Sequence, residues 1–156
     1  MFRVLVLFFT ALISGNALAG MKLQLFYDEE ITIPEYCYFI SRGGHENDFT
    51  CPVQGDRFRG ISFPLVEDEI KRFTSKSKDD WNKDFLDRNL NTSVIDERRD
   101  TIDDRTHLMR VWQMEDIIFH LYIVCDKRAC ISINATEEGF VRDLVEQFSS
   151  RVLYDK

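Results

Sequence analysis

The sequence predicts an α+β fold: an antiparallel sheet with a C-terminal three-strand meander over about 107–134, covered by helices at about 64–76, 79–89 and 137–152. Three observations lead there. Two-residue alternation fills both the N-terminal region and the region after His107, a helical period recurs after Pro64 and after Thr136, and one densely charged stretch separates the two halves. The chain has 156 residues, 44% hydrophobic, with 13 Phe, 7 Gly and 3 Pro, so it can bury a core and is neither low-complexity nor disordered by composition. It describes one domain.

Residues Met1 to Ala19 combine a basic start at Arg3, an apolar run from Val4 to Ile13 and the small-residue ending Ala17-Leu18-Ala19. This is the pattern of a cleavable secretory signal, and the apolar run is too short for the roughly 20 residues that a bilayer span needs. The predicted organisation is therefore a signal peptide at 1–19 and a single mature domain at 20–156, beginning at Gly20. The full chain carries a net charge of −7, and loss of Arg3 leaves the mature domain more negative still. Such acidity argues against nucleic acid and anionic membrane surfaces, which need a basic footprint, and favours basic partners. No stable membrane insertion is expected after signal cleavage.

Within the mature domain, Lys22 to Tyr27 alternates, and Ile31 and Ile33 continue the alternation before Pro34. Tyr36 to Ile40 is aromatic and β-branched, after which Arg42-Gly43-Gly44-His45 turns the chain toward Cys51. Pro64 opens a helical pattern with Leu65, Val66, Ile70 and Phe73 on one face and Glu67, Asp68 and Glu69 in the first turn. A second short helix follows, led by Asp79 and Asp80, with Trp81 and Phe85 four residues apart. Half of the residues from Ser75 to Thr106 are charged with mixed sign, which reads as an exposed loop or sheet edge.

From His107 the pattern turns to strands: His107 to Met114, Ile117 to Cys125 and Cys130 to Asn134, separated by Glu115-Asp116 and Asp126-Lys127-Arg128-Ala129. A four-residue second loop sets Cys125 opposite Cys130, Val124 opposite Ile131 and Tyr122 opposite Ile133. The middle strand is apolar on both faces, so both must be covered. Thr136 then caps a helix whose stripe is Phe140, Val141, Leu144, Val145, Phe148 and Val152.

All four cysteines fall after the signal, an even number suited to an oxidising compartment. Three pairings are open; proximity in sequence favours Cys37 with Cys51 and Cys125 with Cys130. No CxxC occurs, and no metal or cofactor is expected. His45, His107 and His120 lie in no catalytic or zinc motif, and His120 is expected to be a core histidine. The stretch His45-Glu46-Asn47-Asp48 places cation ligands together in a turn, as solvated turns also do. Asn91-Thr92-Ser93 and Asn134-Ala135-Thr136 are sequons that matter only in a eukaryotic secretory pathway.

The order of elements and the closing helix from Phe140 to Phe148 resemble the PsbP/DcrB-like α/β/α sandwich of small exported proteins. The resemblance implies an accessory or binding role rather than catalysis. The leading expectation is a non-catalytic exported binding protein, whose role resembles that of periplasmic immunity proteins that neutralise antibacterial effectors of type VI secretion. The others are an envelope accessory or chaperone protein, a secreted eukaryotic ligand or carrier, and a hydrolase with a site dispersed along the chain. The expected partner is an effector enzyme with a basic cleft, met by Asp79, Asp80, Trp81, Asp96, Glu97, Asp103 and Asp104.

Overall fold

In the computed structural model, the described residues are 20–25, 29–41, 46–55, 57–64, 79–80, 83, 86–87 and 91–148. Nine strands and one helix are defined among them: β1 (Met21–Leu25), β2 (Glu29–Ile33), β3 (Tyr38–Ser41), β4 (Glu46–Thr50), β5 (Arg59–Pro64), β6 (Thr92–Ile102), β7 (Arg105–Met114), β8 (Ile117–Cys125), β9 (Cys130–Ala135) and α1 (Glu138–Val145). β1 and β2 form a separate antiparallel hairpin, and the other seven strands make one sheet in the order β3-β4-β5-β9-β8-β7-β6, antiparallel throughout.

Among the described residues the fold is mostly antiparallel sheet with one defined short helix, so it is β-rich where a sheet covered by several helices is expected. Pro64 is the last residue of β5, whose Arg59, Ile61 and Phe63 alternate along a strand paired with β4 and β9. The remainder of the 64–76 segment lies outside the described residues. Of the 79–89 segment, Asp79, Asp80, Lys83, Leu86 and Asp87 are described, all helical in backbone and exposed. The signal segment also lies outside the described residues.

The C-terminal meander follows the sequence pattern closely. Cys125 faces Cys130, Val124 faces Ile131 and Tyr122 faces Ile133. The disulfides are Cys37–Cys51 and Cys125–Cys130, the first joining the approach to β3 to the end of β4, the second spanning the β8–β9 hairpin. Asp126 closes that hairpin loop: its Oδ1 accepts the backbone N–H groups of Arg128 and Ala129 at 2.6 and 2.7 Å, the side-chain substitute for a backbone turn that Asp provides.

The principal core lies between one sheet face, α1 and the β1–β2 hairpin. Ile31 and Ile33 meet Phe49, Ile61, Tyr122, Val124, Ile131 and Ile133, together with the stripe of α1. Phe140, Val141, Leu144, Val145 and Phe148 recur at helical spacing and are all buried; at about 1.5–3 kcal/mol per large side chain they supply on the order of 10 kcal/mol of gross hydrophobic stabilisation. Thr136 is not the cap of this helix. Its hydroxyl instead accepts the Phe58 N–H and donates to the Phe58 carbonyl, tying β9 to β5. Glu137 occupies the cap position without a side-chain cap bond. Its carboxylate pairs with Arg57 and Arg59, and the hydrogen bond from Arg59 holds it below the usual carboxylate range.

At the start of β1, Gly20 abuts the end of β2, where a Cβ would lie 2.3 Å from the Ile33 carbonyl oxygen. Only glycine permits that approach. On the opposite sheet face, Trp112 stacks on Phe119 at 4.3 Å between centroids, beside Leu121. Both faces of the meander thus carry buried apolar residues, as the doubly apolar β8 requires.

Candidate partner-binding surface

Of the charged stretch that reads as loop or edge, the part from Thr92 onward is an edge strand that continues into a hairpin. β6 runs for 11 residues and pairs with β7 from Thr92↔Met114 to Ile102↔Arg105, shifting register once between Val94 and Asp96. Asp103 and Asp104 form the two-residue turn, both left-handed, with φ of 49° and 62°. That conformation matches the twist of the flanking strands, and Asp is among the few non-glycine residues that tolerate it. Two exposed carboxylates therefore sit at a defined tip.

The base of this hairpin is fixed from within. Arg105, immediately after the turn, donates to the buried Glu29 of β2 at 2.9 Å. Further along, Arg110 donates to Glu97 Oε2 through Nε at 2.8 Å and also through Nη2. Arg110 is fully buried, and burial pulls its guanidinium below the usual range while the Glu97 carboxylate opposes the shift. Glu97 belongs to this internal pair, so it faces inward and not toward a partner. Strand pairing places it opposite Arg110, and a charged couple out of water needs both members.

The other anticipated contacts are dispersed. Asp96 is half exposed and lies 3.4 Å from Arg98; six strand residues separate it from Asp103, roughly 23 Å at the rise of an extended chain. Asp79 and Asp80 are exposed on helical backbone, and Trp81 lies outside the described residues. Asp103 and Asp104 are the pair that the fold brings together.

The histidines are also redistributed. The core histidine is His107, fully buried and hydrogen-bonded through Nδ1 to the Tyr122 hydroxyl at 2.7 Å. Burial pushes its imidazole down, with Arg105 adding to the effect and Asp100, Glu29 and Asp103 opposing it. His120 is only partly buried, and burial lowers it as well. Expecting His120 in the core assumed that its whole strand face is covered, but its neighbour Ile118 is exposed at that end. His45 lies outside the described residues, while Glu46, Asn47 and Asp48 belong to β4 and not to a chelating turn. Among the described residues, no group of three or more His, Cys, Asp or Glu is arranged to hold a metal ion, and no helix is long and apolar enough to cross a membrane.

Of the two sequons, Asn91 is exposed at a left-handed turn before β6, with φ of 67°. Asn134 lies within β9 between β5 and β8, its Oδ1 buried. Neither known family models nor curated protein sequences match the chain.

Proposed function

We propose that the protein is an exported, non-catalytic binding protein of the immunity type, which neutralises a cognate antibacterial effector by presenting acidic residues to a basic cleft. The observation that carries this reading is the Asp103–Asp104 turn: two exposed carboxylates in a defined conformation, on a hairpin anchored by the Arg105–Glu29 and Arg110–Glu97 pairs. Preformed charge of this kind speeds encounter with an opposite field and sets register, without ordering a loop on contact. The two disulfides suit a protein that works in an oxidising compartment, here the periplasm.

The test begins with the coding sequence adjacent to this one. Directed to the periplasm alone, its product should arrest growth, and co-expression of this chain should restore it. The double substitution Asp103→Asn with Asp104→Asn retains residues that accept the left-handed turn while removing both charges. It should slow association with the purified effector at low salt and weaken protection. A harmless neighbour, or a toxic one that this chain neither binds nor blocks, overturns the reading.

A further inference from the structure

β1 and β2 form a two-stranded sheet of their own, packed on the large sheet without a shared hydrogen-bond ladder. A hairpin of that size is marginal in isolation, so side chains must hold it. Besides the apolar contacts of Ile31 and Ile33, two polar clasps do so. In one, the buried Glu29 accepts a hydrogen bond from Arg105 of β7. In the other, the Gln147 side chain accepts the N–H of Thr32 and donates to its carbonyl. His107 and Tyr122 connect the two. His107 follows Arg105 by two residues on the same face of β7, its Nδ1 meets the Tyr122 hydroxyl, and the Tyr122 ring lies 6.2 Å from that of Phe148, the residue after Gln147.

This seam can take up charge. Among the described residues, the titratable groups that face His107 are Arg105 on its own strand, Asp100 opposite it on β6, Asp103 in the turn, Glu29 on β2 and Tyr122 on β8. Burial and Arg105 disfavour the imidazolium, and the three carboxylates do not offset them. A proton taken from water therefore sets an uncompensated charge beneath the hairpin, and that charge is relieved when water reaches the imidazole. The hairpin is the cover that yields at least loss, because the large sheet keeps every ladder when it lifts. Its exit runs through the turn from Pro34 to Cys37, where the Cys37 N–H donates to the Pro34 carbonyl. The Cys37–Cys51 disulfide follows directly, so motion about that turn meets a covalent stop before it reaches β3.

We propose that His107, Tyr122, Arg105 and Glu29 form an acid-sensitive clasp: proton uptake at His107 lifts the β1–β2 hairpin from the core while the seven-stranded sheet stays folded. The closed form holds His107 below its ordinary 6.5 and the lifted form returns it there, so lifting takes up a proton and gains as pH falls through 6.5. Native-state hydrogen exchange tests this on the full-length mature protein with both disulfides intact, corrected for the intrinsic pH dependence of exchange. From pH 7.5 to 5.5 the lifted population should rise by up to about tenfold. It is read as lost protection of the β1 and β2 amides with weak dependence on urea, while the amides of β7, β8 and β9 exchange only through the strongly urea-dependent global opening. His107→Gln should abolish the pH response of the hairpin, and His120→Gln, at the partly buried histidine of β8, should leave it. A check without substitution is the titration of the His107 imidazole by NMR: protection of the hairpin should stop falling once that ring is fully protonated. Hairpin amides that share the opening energy and urea dependence of β7–β9 at pH 5.5 overturn the clasp. So does a local opening indifferent to pH, or one whose pH response survives His107→Gln.

Discussion

The seven-stranded sheet ends in two edges that are held in different ways. β6 is 11 residues long, rich in charge and shifted once in register at Ile95, while β3 has four residues, Tyr38-Phe39-Ile40-Ser41, and no charge. Both carry recognised protections against edge-to-edge pairing: charge and irregularity on the long edge, brevity on the short one. Their attachments differ more. β6 is bound to its neighbour through the buried Glu97–Arg110 pair, whereas β3 is fixed at its start by the Cys37–Cys51 disulfide and rests Phe39 on Phe49 at 5.4 Å. A long edge can rely on side chains in register with the next strand; a short one depends on a covalent link.

The most damaging way to break this contrast is at the ion pair. Glu97→Gln removes the charge that faces the buried Arg110 guanidinium, which should cost about 3–5 kcal/mol in denaturant unfolding. Glu97→Leu combined with Arg110→Met should recover much of that loss, because the desolvated charges leave together. If the single substitution is nearly neutral, the β6 edge is not held as described.

Replacing Cys37 and Cys51 together by Ser should cost about 3 kcal/mol, the chain-entropy value for a loop of this size. Its footprint should differ: hydrogen exchange should rise in β3 and β4 and stay protected in β6 and β7. Uniform loss of protection would show that the two edges open as one unit.

Acid should distinguish the edges more gently. His107 stands on β7 opposite Asp100 of β6, and burial favours its neutral form. Its folded value lies below the ordinary 6.5, so the unfolded chain takes up the proton first as pH falls. The stabilisation is whole above pH 6.5 and declines below it, by at most about 1.4 kcal/mol per pH unit. Urea midpoints at pH 7.5 and pH 5.5 measure the decline, and His107→Gln should flatten it.

The smallest stability effect belongs to the tip. Asp103→Asn with Asp104→Asn should change stability by less than about 0.5 kcal/mol, since the side chains are exposed and Asn accepts the same backbone. Circular dichroism melts test this independently of any partner, and a large loss would mean that the carboxylates serve the fold.

The same contrast explains what the amino-acid pattern discloses. The registers of β7, β8 and β9 are legible because β-branched and aromatic runs are bounded by short polar loops, and because Cys125 and Cys130 pin one pair. β6 is obscured because its inward position 97 is a carboxylate, so alternation in hydrophobicity fails where alternation in burial persists. A signal is nevertheless present. Glu97 stands six residues before Asp103 and Arg110 six after Asp104, so taking Asp103-Asp104 as a two-residue turn sets the opposite charges face to face. β4 is hidden for a similar reason, since Glu46-Asn47-Asp48 resembles a turn until its pairing with both β3 and β5 is known. An open groove beside Asp116 has no linear signature: its walls come from residues 54, 55, 57, 116–118 and 136, which only the sheet order brings together.

One contact near the C-terminal end of the described residues bears on when the fold can close. The side-chain amide of Gln147 accepts the N–H of Thr32 at 2.6 Å and donates to its carbonyl at 3.3 Å, across 115 positions of sequence. It serves β2 as a further peptide unit would, satisfying a backbone position outside its pairing with β1. A ribosome delivers Thr32 well before Gln147, so that position of the first hairpin waits for a residue 115 positions later before it is satisfied. Docking of the N-terminal hairpin through this contact therefore comes after the strands of the large sheet have been made.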